Sequence, residues 1–222
     1  MTAQYEEHDA KRRLGLSWLT DARERAYALL PEGQLGAHEE ILRALAVRLL
    51  DVAVAVQELV RLGCWREAMT LSRTAFEGMV TAGLIAYKGQ FHVQFRSHLE
   101  TVRETLREAC DPCSTAEPQS TRHWYPGGLT AMVRDLSKYE PDVANGRRAP
   151  YMLGCSFSHC DAFSLLDHDA DIFSGIACSS TAGSLYYLAI FEDKAWHGGK
   201  HRGEIEWAQG ALNRGESAGP AS

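Results

Sequence analysis

The chain has 222 residues, 45% of them hydrophobic, with 23 Lys plus Arg against 29 Asp plus Glu and a formal net charge of -6. That is enough apolar material for one domain with a sizeable core, and the negative balance argues against non-specific attraction to a phosphate backbone while leaving room for a local basic pocket. No apolar run approaches the roughly 20 residues of a bilayer span, and the acidic start MTAQYEEHDAKRR lacks a secretory pattern, so a soluble cytoplasmic protein with no membrane partner and reduced cysteines is expected.

In chain order, residues 5 to 30 read as a first helix, with Leu16, Leu19, Ala26 and Leu29 apolar among charges and Pro31 with Gly33 ending it. From Ala37 to Leu62 the apolar positions Ile41, Leu45, Leu49, Val52, Val56 and Leu59 keep helical spacing, and Gly63 marks the stop. Cys64 to Tyr87 resumes the spacing at once, which predicts a tight antiparallel hairpin. Phe91 to Cys110 is a fourth helix with Phe91, Phe95, Leu99, Val102 and Leu106 on one stripe and a wet opposite face.

Residues 111 to 127 hold three prolines and read as a long loop. There Trp124 and Tyr125 are placed to cap the bundle or to line a pocket mouth, with capping preferred. A short helix over Leu129 to Tyr139 precedes the connection EPDVANGRRAP. Two helices follow, one from Pro150 toward Leu166 and one over Ile172 to Trp196, with the acidic patch DHDAD between them. A final helix covers Gly203 to Leu212. No strand alternation, internal repeat or linker is evident, so the fold class is all-α, a single antiparallel helical bundle of about six to eight helices. Its parts are an N-terminal helix packing on the bundle (1–35), the bundle domain (36–213) and a disordered tail (214–222).

Two polar groups stand out on apolar faces. Advancing 100 degrees per residue, Met69, Phe76, Val80, Leu84 and Tyr87 form one stripe, with Arg73 at its centre and Glu77 at its edge one turn away. A buried charge needs partners, so the pair is expected as a polar island in the core. It is either an ion pair that fixes packing or half of a site. The segment PYMLGCSFSHCDAF supplies a second group, Tyr151, Ser156 and His159, with His159 on the apolar stripe of its helix.

These segments, LSRTAFEGMVTAGLIAY after a long helix, then WYP, then YMLGCSFSHCDAF, resemble the DUF5677 family of bacterial helical proteins, whose members are similar to HEPN-like bundles. The resemblance covers about residues 40 to 195 and implies a helical bundle with Arg73 and Glu77 matched by Tyr151, Ser156 and His159. It implies no particular activity. HEPN ribonucleases carry an Arg followed after four to six residues by His on one helix. Here the nearest Arg before His159 is Arg148, eleven residues back and across Pro150, and Arg96 and His98 are too close. The usual ribonuclease site is therefore absent unless Arg73 supplies the guanidinium.

Other patterns carry less. His197 and His201 flank two glycines and read as a surface turn. The run from His159 to Asp171 matches no structural zinc spacing and reads as a solvated acidic loop. Cys110 and Cys113 lack the strand that a redox motif follows. No Walker loop, dinucleotide fingerprint or Gly-x-Ser-x-Gly elbow is present, so no cofactor and no metal is expected.

Three functions fit the residues. The first is a binding protein, of defence type, whose pocket of Arg73, Glu77, Tyr151, Ser156 and His159 takes an anionic ligand, nucleotide or RNA. The second is a metal-independent nuclease with candidate catalytic residues His159 as general acid or base, Arg73 as charge stabiliser and Glu77 beside it. The third is a structural homo-oligomer in which the polar groups satisfy one another.

Overall fold

The computed structural model describes residues 2–110, 123–146, 155 and 169–216, and the side chains of 9–107, 123–144, 155 and 169–216. Its described elements are helices: α1 (Thr2–Ala28), α2 (Ala37–Arg61), α3 (Trp65–Tyr87), α4 (Phe91–Cys110), α5 (Gly128–Leu136), the single turn α6 (Val143–Gly146), α7 (Ala170–Glu192) and α8 (Arg202–Arg214). Among the described residues no helix is long and apolar enough to cross a membrane.

The α2–α3 turn forms as its glycine requires. Gly63 takes φ +76°, a left-handed value that a side chain would strain. Its N–H donates to Val60 O and the Cys64 N–H to Leu59 O, which satisfies the last carbonyls of α2. The turn sends α3 back along α2, and Gly78 lets the two approach: a methyl there would stand 2.7 Å from Leu49.

α3 is the central element. Phe76, Met79, Val80, Ala82, Leu84 and Ile85 are buried on several faces, and α3 packs on both α2 and α7. α7 is apolar nearly all round, as a helix inside a bundle must be. It begins where Asp169 accepts from the N–H groups of Asp171 and Ile172, so the acidic run read as a solvated loop supplies an N-cap. Asp171 pairs with Arg12 of α1 at 3.2 Å.

Contacts set the direction of α7. Trp65 meets Phe173 near the start of α3, and Gly83 meets Phe191 near its end. Along α1, Gly15 lies on Cys178, Asp21 accepts from the Tyr186 hydroxyl, and Leu29 O is 3.1 Å from the His197 ring. α7 therefore runs in the same sense as α1 and α3. This departs from the antiparallel bundle expected, since α7 packs on α1 and α3 and shares their direction. Leu19, Ala22 and Ala26 of α1 belong to the same core as α2, α3 and α7. Residues 214 to 216, expected as part of the tail, belong to the fold: Gly215 caps α8, and the Glu216 carbonyl accepts from the Trp18 indole at 2.8 Å. Residues 217 to 222 lie outside the described residues.

α4 departs from its expected packing. Phe91 and Phe95 pack on Trp124, but Leu99 and Leu106, from the same predicted stripe, are exposed. Among the described residues, the aromatic contacts of the helix with the bundle come from its first turns.

At the end of α7 the helix widens into a π-helical turn, Asp193–His197, where one extra residue per turn redirects the chain. Both carboxylate oxygens of buried Asp193 accept from the His201 N–H at 3.0 Å, which fixes the start of α8. Glu192 beside it is fully buried, and among the described residues neither of its oxygens has a hydrogen-bond partner. Burial alone raises its pKa well above the ordinary 4.5.

Two outcomes follow from this packing. In Gly83→Ala the new methyl would stand 2.7 Å from the Phe191 ring, so denaturant unfolding should show a loss of about 1–3 kcal/mol. For Glu192, the folded state keeps a proton that the unfolded chain releases. Stability from this group is therefore full below pH 4.5 and falls as pH rises toward the raised folded value. Glu192→Gln should remove that slope, up to about 1.4 kcal/mol per pH unit, when unfolding free energy is measured from pH 5 to 8.

Candidate functional site

Arg73 and Glu77 meet as expected: the Arg73 Nε donates to Glu77 Oε1 at 2.9 Å across one turn of α3. They do not form an island in the core. The Arg73 side chain is 23% exposed and that of Glu77 41%. The backbone lies in the apolar stripe, but long side chains carry their charged ends out along the helix to its edge. Tyr151, Ser156 and His159 lie outside the described residues, as does Cys113. Cys155, next to Ser156, is helical and half-buried.

Glu77 stands on the wall of a cleft of about 250 Å³ between α2, α3 and α5. From α3 come Thr74, Glu77, Gly78 and Thr81; from α2, Leu45, Arg48, Leu49 and Val52. His123, Trp124, Leu129 and Met132 complete it. The close approach at Gly78 and Leu49 forms the floor, and longer side chains on either side leave the opening above it.

Its polar groups include two donors, Arg48 and His123, beside the Glu77 carboxylate. Arg48 is exposed and brings a permanent charge. The His123 Nδ1 accepts from the Tyr125 N–H at 3.1 Å, so in the neutral ring Nε2 carries the proton and can donate. The Thr81 hydroxyl is turned back to Glu77 O at 3.0 Å. Trp124 stands steeply to Phe91 and Phe95, with centroids at 6.4 and 5.2 Å, and nearly parallel to the His123 ring at 6.4 Å. Trp124 thus lines the pocket mouth, whereas Tyr125 is buried and caps the bundle by donating to Asp135. Burial first, then that bond, pushes the Tyr125 hydroxyl up to about 12. Bonds from Lys138 and then Tyr125 hold Asp135 down to about 2.

A second polar cluster, which the sequence reading missed, ties the far end of α3 to α8. Glu140 accepts from the Tyr87 hydroxyl and from Arg202 Nη2, the latter at 3.1 Å, and its side chain is 7% exposed. Tyr87 is pushed up to about 12, mainly by burial and then by the Glu140 carboxylate. Lys194 sits 4.1 Å over the Tyr87 ring and Tyr139 stacks on it at 4.7 Å. The only trace in the sequence is Tyr139-Glu140 ahead of a proline, which names no partner. Arg48 left a fainter trace, flanking the apolar stripe of Leu45, Leu49 and Val52.

His197 and His201 lie at the π-helical turn and at the cap of α8, with ring centroids 5.6 Å apart. The His197 Nε2 faces Leu29 O and must donate there. Among the described residues no group of three or more His, Cys, Asp or Glu is placed to hold a metal ion.

Compared with known proteins, the chain is matched by no family model, no curated protein and no solved structure.

The two clusters should separate in a stability measurement. Glu77→Gln removes a half-exposed helix pair and should cost under about 1 kcal/mol. Glu140→Ala leaves the half-buried Tyr87 hydroxyl without its acceptor and should cost about 1–3 kcal/mol, both read from urea unfolding midpoints.

Proposed function

We propose that the chain is a helical binding protein whose ligand is a small anion bearing an aromatic group, nucleotide or RNA-like, held between α2, α3 and α5. The observation that carries this reading is the meeting in one cleft of the Arg48 guanidinium, the His123 Nε2–H and the Trp124 ring, beside a Glu77 engaged by Arg73. A guanidinium matches phosphate or carboxylate with two parallel hydrogen bonds, and an indole offers a face on which a base can stack. Arg73 offsets the charge of Glu77, so Arg48 leaves the cleft net positive within an acidic protein. The volume of about 250 Å³ lies just below the usual range for small-molecule sites, roughly 300–1,000 Å³, which suits one nucleotide-sized group.

Arg73, held by Glu77 at 2.9 Å, takes part by offsetting the charge of that carboxylate. Tyr151, Ser156 and His159 are the groups proposed to extend the wall. The α2–α3 pairing with Arg73 and Glu77 one turn apart supports a DUF5677-type, HEPN-like bundle, with α1, α2 and α3 alternating in direction. The parallel α7 is where the chain parts from that pattern.

Isothermal titration with AMP and short RNA oligomers tests the reading. Wild type should bind, and Arg48→Ala or Trp124→Ala should each weaken binding about tenfold or more, equivalent to 1.4 kcal/mol. Arg73→Ala should weaken it less. Binding unchanged in both arginine variants would overturn the assignment.

A further inference from the structure

The opposite side of α3 borders a larger cleft of about 580 Å³, enclosed by α3, α7, α8 and the segment at α6. This lies within the range of small-molecule sites, and its chemistry is the reverse of the first. Its floor is aromatic and apolar, from Trp18, Phe76 and Met79. Its charged group is Asp142, and no Lys, Arg or His stands among its described lining residues.

Two of the hydroxyls above that floor, those of Ser179 and Ser184, are left as acceptors. The Ser179 Oγ donates to Gly175 O at 2.7 Å and the Ser184 Oγ to Ser180 O at 3.1 Å, so their protons are committed to α7 and their lone pairs face outward. Tyr187 lies beside Asp142 and the Gln209 amide, and burial followed by the nearby Asp142 charge pushes its hydroxyl up to about 12. It remains a neutral phenol with an aromatic face. Gly183, between the serines, keeps the wall low: a methyl there would meet only Leu212, at 3.8 Å.

We propose that this cleft is a second binding site, and that it takes an organic ammonium ion with an apolar body. The ammonium lies toward Asp142 and the serine oxygens, and the apolar part lies on Trp18, Phe76 and Met79. An acceptor-lined wall with one carboxylate attracts a cation, and aromatic faces stabilise it further. For an anion the described lining offers neutral donors, the Gln209 and Asn213 amides and the Ser180 hydroxyl, but no cationic group. Because the two clefts lie on opposite sides of α3, this site does not depend on the anion-binding reading.

Calorimetric titration of the full chain with benzyltrimethylammonium, phenethyl alcohol and phenylpropionate tests it. The ammonium should bind, and the neutral and anionic compounds should bind at least tenfold more weakly. Asp142→Asn, at an exposed position, should cost the ammonium tenfold or more. Gly183→Leu should abolish its binding while circular dichroism shows the helices intact, and Arg48→Ala should leave it unchanged. Equal affinity for all three compounds, or full ammonium binding in Asp142→Asn, would overturn the proposal.

Discussion

The structure depends on how closely α3 is held between α2 and α7. Two glycines allow it: Gly78 lies against Leu49 of α2, and Gly83 against Phe191 of α7, each with room for less than a methyl. With both neighbours so near, the axis of α3 has no room for large polar groups. Its charged residues must leave by the two remaining sides. That constraint explains why Arg73 and Glu77 reach the edge of the helix; the clefts open beside the two close approaches, one against α2 and α5 and one against α7 and α8.

The two openings differ in the groups they present. On the α2 side, Arg48 and His123 donate around the Trp124 face. On the α8 side, Asp142, Ser179 and Ser184 mainly accept above Trp18 and Phe76. A guanidinium cannot serve as an acceptor and an ionised carboxylate cannot donate, which is the basis for proposing ligands of opposite charge for the two sides. The buried Glu140, with Tyr87 and Arg202, fixes the end of α3 against α8 and so holds the shape of the second opening.

Among the described residues, local signals in the sequence placed the helices well; the helix expected from Pro150 toward Leu166 lies outside them. Gly63 and the immediate return of helical spacing located the α2–α3 turn, and the periodicity of α7 and α8 put both within a few residues of their observed bounds. What depends on long-range contact was not legible. Asp169 caps a helix and Asp193 holds the His201 N–H, yet in sequence both are merely acidic residues near turns. The same periodicity that identified α4 could not show that Leu99 and Leu106 remain exposed, because a stripe reports a preference for burial and not the presence of a neighbour. Arg73 shows the complementary limit. Its backbone position in the stripe was readable, but the reach of a flexible side chain to the surface was not.

The central claim is that the cleft beside Glu77 and Arg48 is a binding site for an anion. A crystal structure of the chain soaked with AMP tests it most directly. The phosphate is expected within hydrogen-bond distance of the Arg48 guanidinium, about 3 Å, with the adenine against Trp124. AMP bound elsewhere, or a cleft left empty at saturating ligand, would contradict it.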